Sequence, residues 1–259
     1  MKKQKKRSPL DRMPPLRAAG QSLTDELDNV LYDHVLAPIL LALFMVVIAM
    51  LEWWRYETHE KPSPWLHSGI AVLACLYAAF KFLRNRGRIQ QIRLGRDGER
   101  AVAEHLEWLR RSDFVVFHDV PNGDANVDHV LIGPQGVFTI ETKTLSKPLR
   151  GDCKVSVHDG MVRANGLVLD RNPIVQAKAQ AGWLRNFLAE SQFKVPVWPV
   201  VVFPGWFVEP FDMTAAGVWV LEVKALSKFI ENEPERHSRE EVKAMASALR
   251  SHVRAQLDK

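Results

Sequence analysis

The sequence predicts an α/β domain, built on a mixed β-sheet flanked by helices, that follows two long apolar helices. Three observations predict this. Two uncharged apolar stretches lie within the first 83 residues of the 259-residue chain. From about residue 95 onwards, runs rich in β-branched and aromatic residues alternate with stretches of helical periodicity. The chain has two cysteines and no Cys/His spacing typical of zinc, which argues against a disulfide or zinc scaffold.

The apolar stretches, residues 35–51 and 65–80, predict two membrane-spanning helices. With their apolar and aromatic flanks, each is about long enough to cross the roughly 30 Å hydrocarbon core of a bilayer. Trp53, Trp54 and Trp65 stand at the ends of the stretches, where interfacial aromatic residues are expected. The alternative is a pair of buried core helices in a soluble domain. A cleaved signal peptide fits poorly, because no small-residue cleavage site follows the first stretch.

Basic residues predict the orientation of this hairpin. Lysines and arginines are concentrated before the first stretch and after the second, whereas the connector, residues 52–64, is short and mixes acids with bases. The positive-inside rule then places both termini in the cytoplasm, with residues 35–83 in the lipid of the inner (cytoplasmic) membrane as a multi-pass anchor. The formal net charge of +5 reflects either this topology or nucleic-acid binding, and the sequence leaves both open.

We therefore expect four segments. Their bounds are 1–34 for a basic cytoplasmic tail, 35–83 for the transmembrane hairpin, 84–94 for a basic linker and 95–259 for the α/β domain, whose core is 95–205 and which ends in helices. In the last segment a helix is expected to open at Gly95, with Asp97 as its N-cap. The later elements are strands at 114–118, 127–132 and 136–143, a hairpin at 151–168, a helix from 172, strands at 198–203 and 217–221, and helices at 223–230 and 238–257.

The most informative motif is a pair of apolar strands joined by a tight Gly-Pro-Gln-Gly turn. Asp128 begins the first strand, and Glu141 and Lys143 end the second on one face, because strand side chains alternate. Antiparallel pairing would bring Asp128 near that pair. Two carboxylates and an ammonium group at one sheet edge suit a divalent metal and an attacking water for phosphodiester cleavage. The alternative is a strand-edge acid beside a solvated cross-strand ion pair.

These residues resemble the nuclease-related domain (NERD), a family of the PD-(D/E)XK nuclease superfamily. The matching pieces are Gly95-x-x-Gly98-Glu99, residues 127–132, residues 136–143 and Asn172-Pro173-x-x-Gln176-Ala177. The resemblance implies the restriction-endonuclease-like αβββαβ core, and the elements predicted above follow that order. One residue departs from the pattern, because Val127 stands where the superfamily loosely keeps a proline.

The resemblance also implies roles for five residues. Asp128 and Glu141 would hold Mg²⁺ or Mn²⁺, Glu99 would be a further metal ligand or bind through water, Lys143 would orient or deprotonate the attacking water, and Gln176 would be a polar residue of the site. Simpler interpretations remain for two of them. Glu99 suits the first turn of a helix because of the helix dipole, and Gln176 could be an ordinary surface residue.

The sequence thus predicts a membrane-anchored, Mg²⁺-dependent nuclease that hydrolyses phosphodiester bonds at the cytoplasmic face, in DNA more than in RNA. Two alternatives stay open. The domain could be a catalytically inactive nucleic-acid-binding module, or the protein could be a membrane-bound scaffold for protein partners. Lipid contact through residues 35–83 is common to all three hypotheses.

Overall fold

The structure is a computed structural model that describes residues 16–58, 63–109, 113–123, 125–148 and 152–258. The chain divides into two compact units. One is Ser22–Leu94, and the other combines the described part of Met1–Gln21 with Gly95–Lys259.

The first unit is helical. Helix α1 (Gln21–Leu31) runs through a π-helical turn (Tyr32–Leu36) into α2 (Ala37–Glu57), and α3 (Pro64–Leu109) follows. The two apolar stretches fall within α2 and α3, and both helical segments are long and apolar enough to cross a membrane by length and composition. Most residues of either apolar stretch are exposed in the described structure.

Helix α3 is longer than the sequence indicated. It runs unbroken through residues 84–94, so a helix start at Gly95 with Asp97 as N-cap is wrong. The cause is local: these residues are mostly good helix formers, and isolated glycines weaken a helix by only about 1 kcal/mol each without ending it. The Asp97 carboxylate instead accepts hydrogen bonds from the neighbouring Arg96 guanidinium at 3.0 and 3.1 Å.

The second unit contains the predicted mixed sheet. Its strands are β1 (Val115–Asn122), β2 (Ala125–Gly133), β3 (Gly136–Thr142), β7 (Val197–Val202) and β9 (Trp219–Leu221), in the spatial order β1-β2-β3-β7-β9. The first three are antiparallel neighbours, whereas β7 and β9 run parallel to β3. The predicted α/β fold with the αβββαβ order is confirmed.

Helices cover both faces of this sheet. Helix α4 (Pro173–Glu190) and helix α7 (Arg239–Leu257) form one hydrophobic core with it, and α3 and α6 (Val223–Glu231) form another. Asn172 caps α4 by accepting a hydrogen bond from the Ile174 backbone N–H at 3.0 Å, as the Asn-Pro start predicted.

The second unit also contains a separate sheet of four strands. Its strands are β4 (Lys154–His158), β5 (Met161–Ala164), β6 (Leu167–Val168) and β8 (Phe207–Val208), and the short helix α5 (Met213–Ala216) follows β8. The predicted hairpin is confirmed as β4 and β5. Its turn residues Asp159 and Gly160 have φ of 51° and 70°, as a tight hairpin turn requires. The outer strands β6 and β8 were not predicted because each has two residues.

Candidate active site

The register of β2 and β3 brings two predicted acids together. His129 pairs with Ile140, so the neighbouring positions Asp128 and Glu141 lie opposite each other on one face. The Asp128 carboxylate accepts a hydrogen bond from the Thr142 backbone N–H at 2.7 Å. The Glu141 side chain is only 3% exposed. The tight turn and strand alternation therefore produce the carboxylate pair that the sequence predicted.

Glu99 joins this pair from α3. Its side chain is 8% exposed, and its carboxylate accepts a hydrogen bond from the Gly20 backbone N–H. The preceding Gly98 explains how the helix comes so close to the end of β3. A Cβ at Gly98 would overlap the side chain of Thr144, so only glycine lets α3 pack there.

A fourth acid, Asp119, was not identified from the sequence. It lies on β1 between the paired positions His118 and Val120, is 1% exposed and has a φ of 50°. Its two carboxylate oxygens accept a hydrogen bond from Asn126 Nδ2 at 2.9 Å and contact Arg17 Nη2 at 2.8 Å. A positive φ in mid-strand is rare outside glycine, although Asp tolerates it better than most residues.

We call Glu99, Asp119, Asp128 and Glu141 the carboxylate cluster. Burial, then the charges of Asp119 and Glu141, raises the pKa of Glu99 from 4.5 to about 7. Burial, then Glu141 and Glu99, likewise raises the pKa of Asp128 above its ordinary value. Burial raises the pKa of Glu141 to about 6, against the opposing effects of the Gln180 hydrogen bond and the Lys143 charge. The four acids therefore repel one another within a desolvated site.

Lys143 lies beside the cluster, as predicted. It is half-buried, directly follows β3, and its backbone N–H donates to the Val202 carbonyl at 2.9 Å. Its ammonium charge acts on Glu141 in the direction that lowers the pKa of that carboxyl. The group is thus close enough to the cluster to act on a molecule bound there.

Helix α4 contributes a different glutamine from the one implied by the family pattern. Gln176 is exposed, whereas Gln180, one turn later, is 5% exposed and donates from Nε2 to Glu141 Oε2 at 2.7 Å. Both lie on one side of the helix, so sequence spacing alone could not separate them. The role of Gln176 stays a prediction, and the structure adds Gln180 as a site residue.

The donor set suits a small divalent cation. Among the described residues, no three His, Cys, Asp or Glu side chains converge closely enough to hold a metal ion by themselves. Mg²⁺, however, commonly takes one or two carboxylates and completes its octahedron with water and substrate phosphate. Asp128 and Glu141 provide such a pair. Beside them, Gln180 Oε1 is buried without a hydrogen-bond partner in the described structure, which leaves one neutral oxygen available to a bound ion or its water.

Comparison with known proteins agrees with the resemblance read from the motifs. Residues 94–204 match the nuclease-related domain family, a region that covers less than half of the 259 residues. No curated protein matches the sequence. The structure of Pyrococcus furiosus SfsA in complex with Ca²⁺ is similar at 15% identity and a TM-score of 0.27, over 53% of this chain and 55% of that one. The match thus spans about half the length of that solved chain. Over residues 94–204 this protein is similar to the nuclease-related domain, and the similarity supports a nuclease-like function.

Proposed function

We propose that the protein is a membrane-anchored, Mg²⁺-dependent nuclease that hydrolyses phosphodiester bonds in DNA, or less readily RNA, at the cytoplasmic face. The observation that carries this proposal is the meeting of Glu99, Asp128 and Glu141 with Lys143 at the end of β3. Burying several carboxylates side by side is unfavourable for folding, and a divalent cation would offset that cost.

The residues of the site have different roles in this proposal. Asp128 and Glu141 would hold Mg²⁺ or Mn²⁺, and Glu99 would contact the ion through water. When bound, the ion would polarise the scissile phosphate and lower the pKa of a bound water. The Thr142 N–H fixes the Asp128 carboxylate, and Gln180 fixes Glu141 in the same way.

Lys143 is the candidate acid–base or phosphate-contacting group. Its ammonium lies near Glu141 without being buried beneath the cluster, so it can reach a scissile phosphate or the attacking water. Positive charge held at that position stabilises the extra negative charge that develops on the phosphate in the transition state.

The test is cleavage of DNA and RNA by the full chain in detergent micelles, with Mg²⁺ or with EDTA. We expect Glu141→Gln and Lys143→Ala to lose at least about 100-fold in rate, as is typical when such groups are removed. Glu104→Gln, an exposed site on α3, is the matched control. Equal cleavage by the wild type and both site variants, with intact melting curves, would exclude an enzyme at this site.

The anchor is a separate part of the proposal. Exposed apolar side chains along α2 and the first part of α3 support a hairpin spanning residues 35–83. The lysines and arginines that flank the hairpin support an orientation with both termini in the cytoplasm. In a background without Cys75 and Cys153, Ser63→Cys should react with an impermeant thiol reagent in intact cells, whereas Ser251→Cys should react only after permeabilisation. The reverse labelling would contradict the orientation.

A groove on the second unit favours a nucleic-acid-binding module as the second candidate function. It has a volume of about 800 Å³, runs between α4 and the first half of β7, and is bordered by Lys178, Arg185 and Lys194. Clustered cations of this kind bind phosphate chains in a salt-dependent way. A binding module would retain salt-sensitive DNA affinity, lowered by charge removal in this groove, while showing no cleavage in Mg²⁺ or Mn²⁺.

A further inference from the structure

A short segment before the first apolar helix lies against the carboxylate cluster. We call residues 16–20 the strap. Leu16 packs on the hydrophobic core beneath α4 and α7, and Ala19 and Gly20 are buried. The sequence placed these residues in a basic tail, so their contacts with the candidate active site were not expected.

The strap places a buried cation on the cluster. Arg17 Nη2 lies 2.8 Å from Asp119 Oδ2, and the two side chains are 12% and 2% exposed. The second Asp119 oxygen is occupied by the Asn126 amide. A shielded ion pair of this kind is sensitive to any change in charge nearby, because little water is present to screen it.

The strap is also fixed by its backbone. The Gly20 N–H donates to the Glu99 carboxylate. Gly20 has a φ of +65°, and a Cβ there would lie 3.0 Å from Arg96 Cγ and 3.4 Å from the Arg96 backbone oxygen. A side chain at this position would therefore be both strained and crowded. One residue of the strap thus holds Asp119 and another holds Glu99, so the strap bridges two members of the cluster.

A divalent cation and the strap would act on the same charges. Asp119 lies close enough to Glu99 and Asp128 to raise the pKa of both, so its ion pair with Arg17 reduces the negative charge that Asp119 presents to those two acids. An ion held by Asp128 and Glu141 would add two positive charges near the guanidinium. Like charges in a desolvated site repel strongly, and coupling between two binding events is reciprocal.

We propose that the strap is a cation-responsive element of the active site, in which Arg17 supplies the countercharge when no divalent ion is bound and a bound ion loosens the strap. This inference rests on the proposed function, since it requires the cluster to bind such an ion.

The test compares Mn²⁺ affinity, measured by titration calorimetry on the full chain in detergent micelles, for the wild type and two strap variants. Arg17→Gln removes the countercharge, and Gly20→Ala displaces the strap without changing charge. We expect both to bind Mn²⁺ at least about 5-fold more tightly, the lower end of ordinary coupling. Arg254→Gln, which removes the same charge from an exposed site on α7, should stay within about twofold of the wild type.

A second readout follows the strap itself. Trypsin cleavage after Arg17, quantified by mass spectrometry, should speed up at least about 5-fold when Mn²⁺ saturates the wild type, since linkage works in both directions. Wild-type binding of Mn²⁺ with no tightening in either variant, and no change in cleavage, would overturn the strap inference alone. Failure of the wild type and both variants to bind Mn²⁺ would overturn it together with the metal-dependent function.

Discussion

Replacing Glu99 by glutamine should stabilise the cation-free protein at neutral and higher pH. The pKa of this carboxyl rises from 4.5 to about 7 on folding, mainly through burial and then through Asp119 and Glu141. Its contribution to stability is therefore most favourable below pH 4.5 and is lost as the pH rises towards 7. At about 1.4 kcal/mol per pH unit, the ionised group costs about 3 kcal/mol at pH 8 and under about 1 kcal/mol at pH 5.

Glutamine has nearly the same shape and keeps an oxygen for the Gly20 N–H, so it removes the charge with little repacking. We expect the melting temperature of Glu99→Gln in EDTA to rise by roughly 6–12 °C at pH 8, with most of that gain absent at pH 5. Differential scanning fluorimetry in detergent micelles measures the melting temperature at both pH values. Glu104→Gln on the same helix controls for the change of net charge. A gain of the same size at both pH values, or none at pH 8, would refute the reasoning.

Three further predictions concern the same site. Gln180→Ala should lower the free energy of unfolding by about 1–3 kcal/mol and slow DNA cleavage, because the buried Glu141 carboxylate loses its hydrogen-bond donor. Gln176→Ala should change the free energy of unfolding by under about 0.5 kcal/mol. Similar melting and cleavage for both variants would contradict this prediction. Gly98→Ala should lower the melting temperature by the equivalent of about 1–3 kcal/mol, whereas Gly87→Ala, which meets open space, should raise it slightly. Mn²⁺ affinity, measured by calorimetry, should increase from pH 5.5 to 7.5, since two carboxyls of the cluster have pKa values raised to about 6 and about 7; a flat profile would argue against binding by the cluster.

The sequence was sufficient to predict the positions of residues where local rules determine the backbone geometry. The alternation of strand side chains and a four-residue turn placed Asp128 opposite Glu141, and the same alternation placed Lys143 on that side. Hydrophobic periodicity located α4 and α7, and the Asn-Pro pair marked where α4 begins. Each inference depended on residues close together in the chain, for which the choice of backbone conformations is small.

The sequence was insufficient where packing or backbone distortion decides. Asp119 lies in the cluster at a point where β1 departs from regular strand geometry, with a positive φ. A run of apolar residues that contains one acid does not predict such a departure. Gln180 was not identified because the packing of α4 on the sheet determines which turn of the helix contacts Glu141. Arg17 could not be distinguished from the other basic residues of the N-terminal region, since its role depends on a contact across about a hundred residues.

The same observations explain why burial of the carboxylate cluster is unfavourable for folding. Aliphatic side chains at the positions of the carboxylate cluster would pack without mutual repulsion, and the raised pKa values of three of its members measure how unfavourable the charged form is. The structure nonetheless directs specific donors at these acids, with the Thr142 N–H on Asp128 and Gln180 on Glu141. These hydrogen bonds orient the carboxylates and offset part of the cost of burying their charged form, which a purely structural cluster does not require. Because burial and mutual repulsion make the charged form of these oriented carboxylates unfavourable, a divalent cation would relieve that cost, and this is the physical reason to test the protein as a metal-dependent nuclease first.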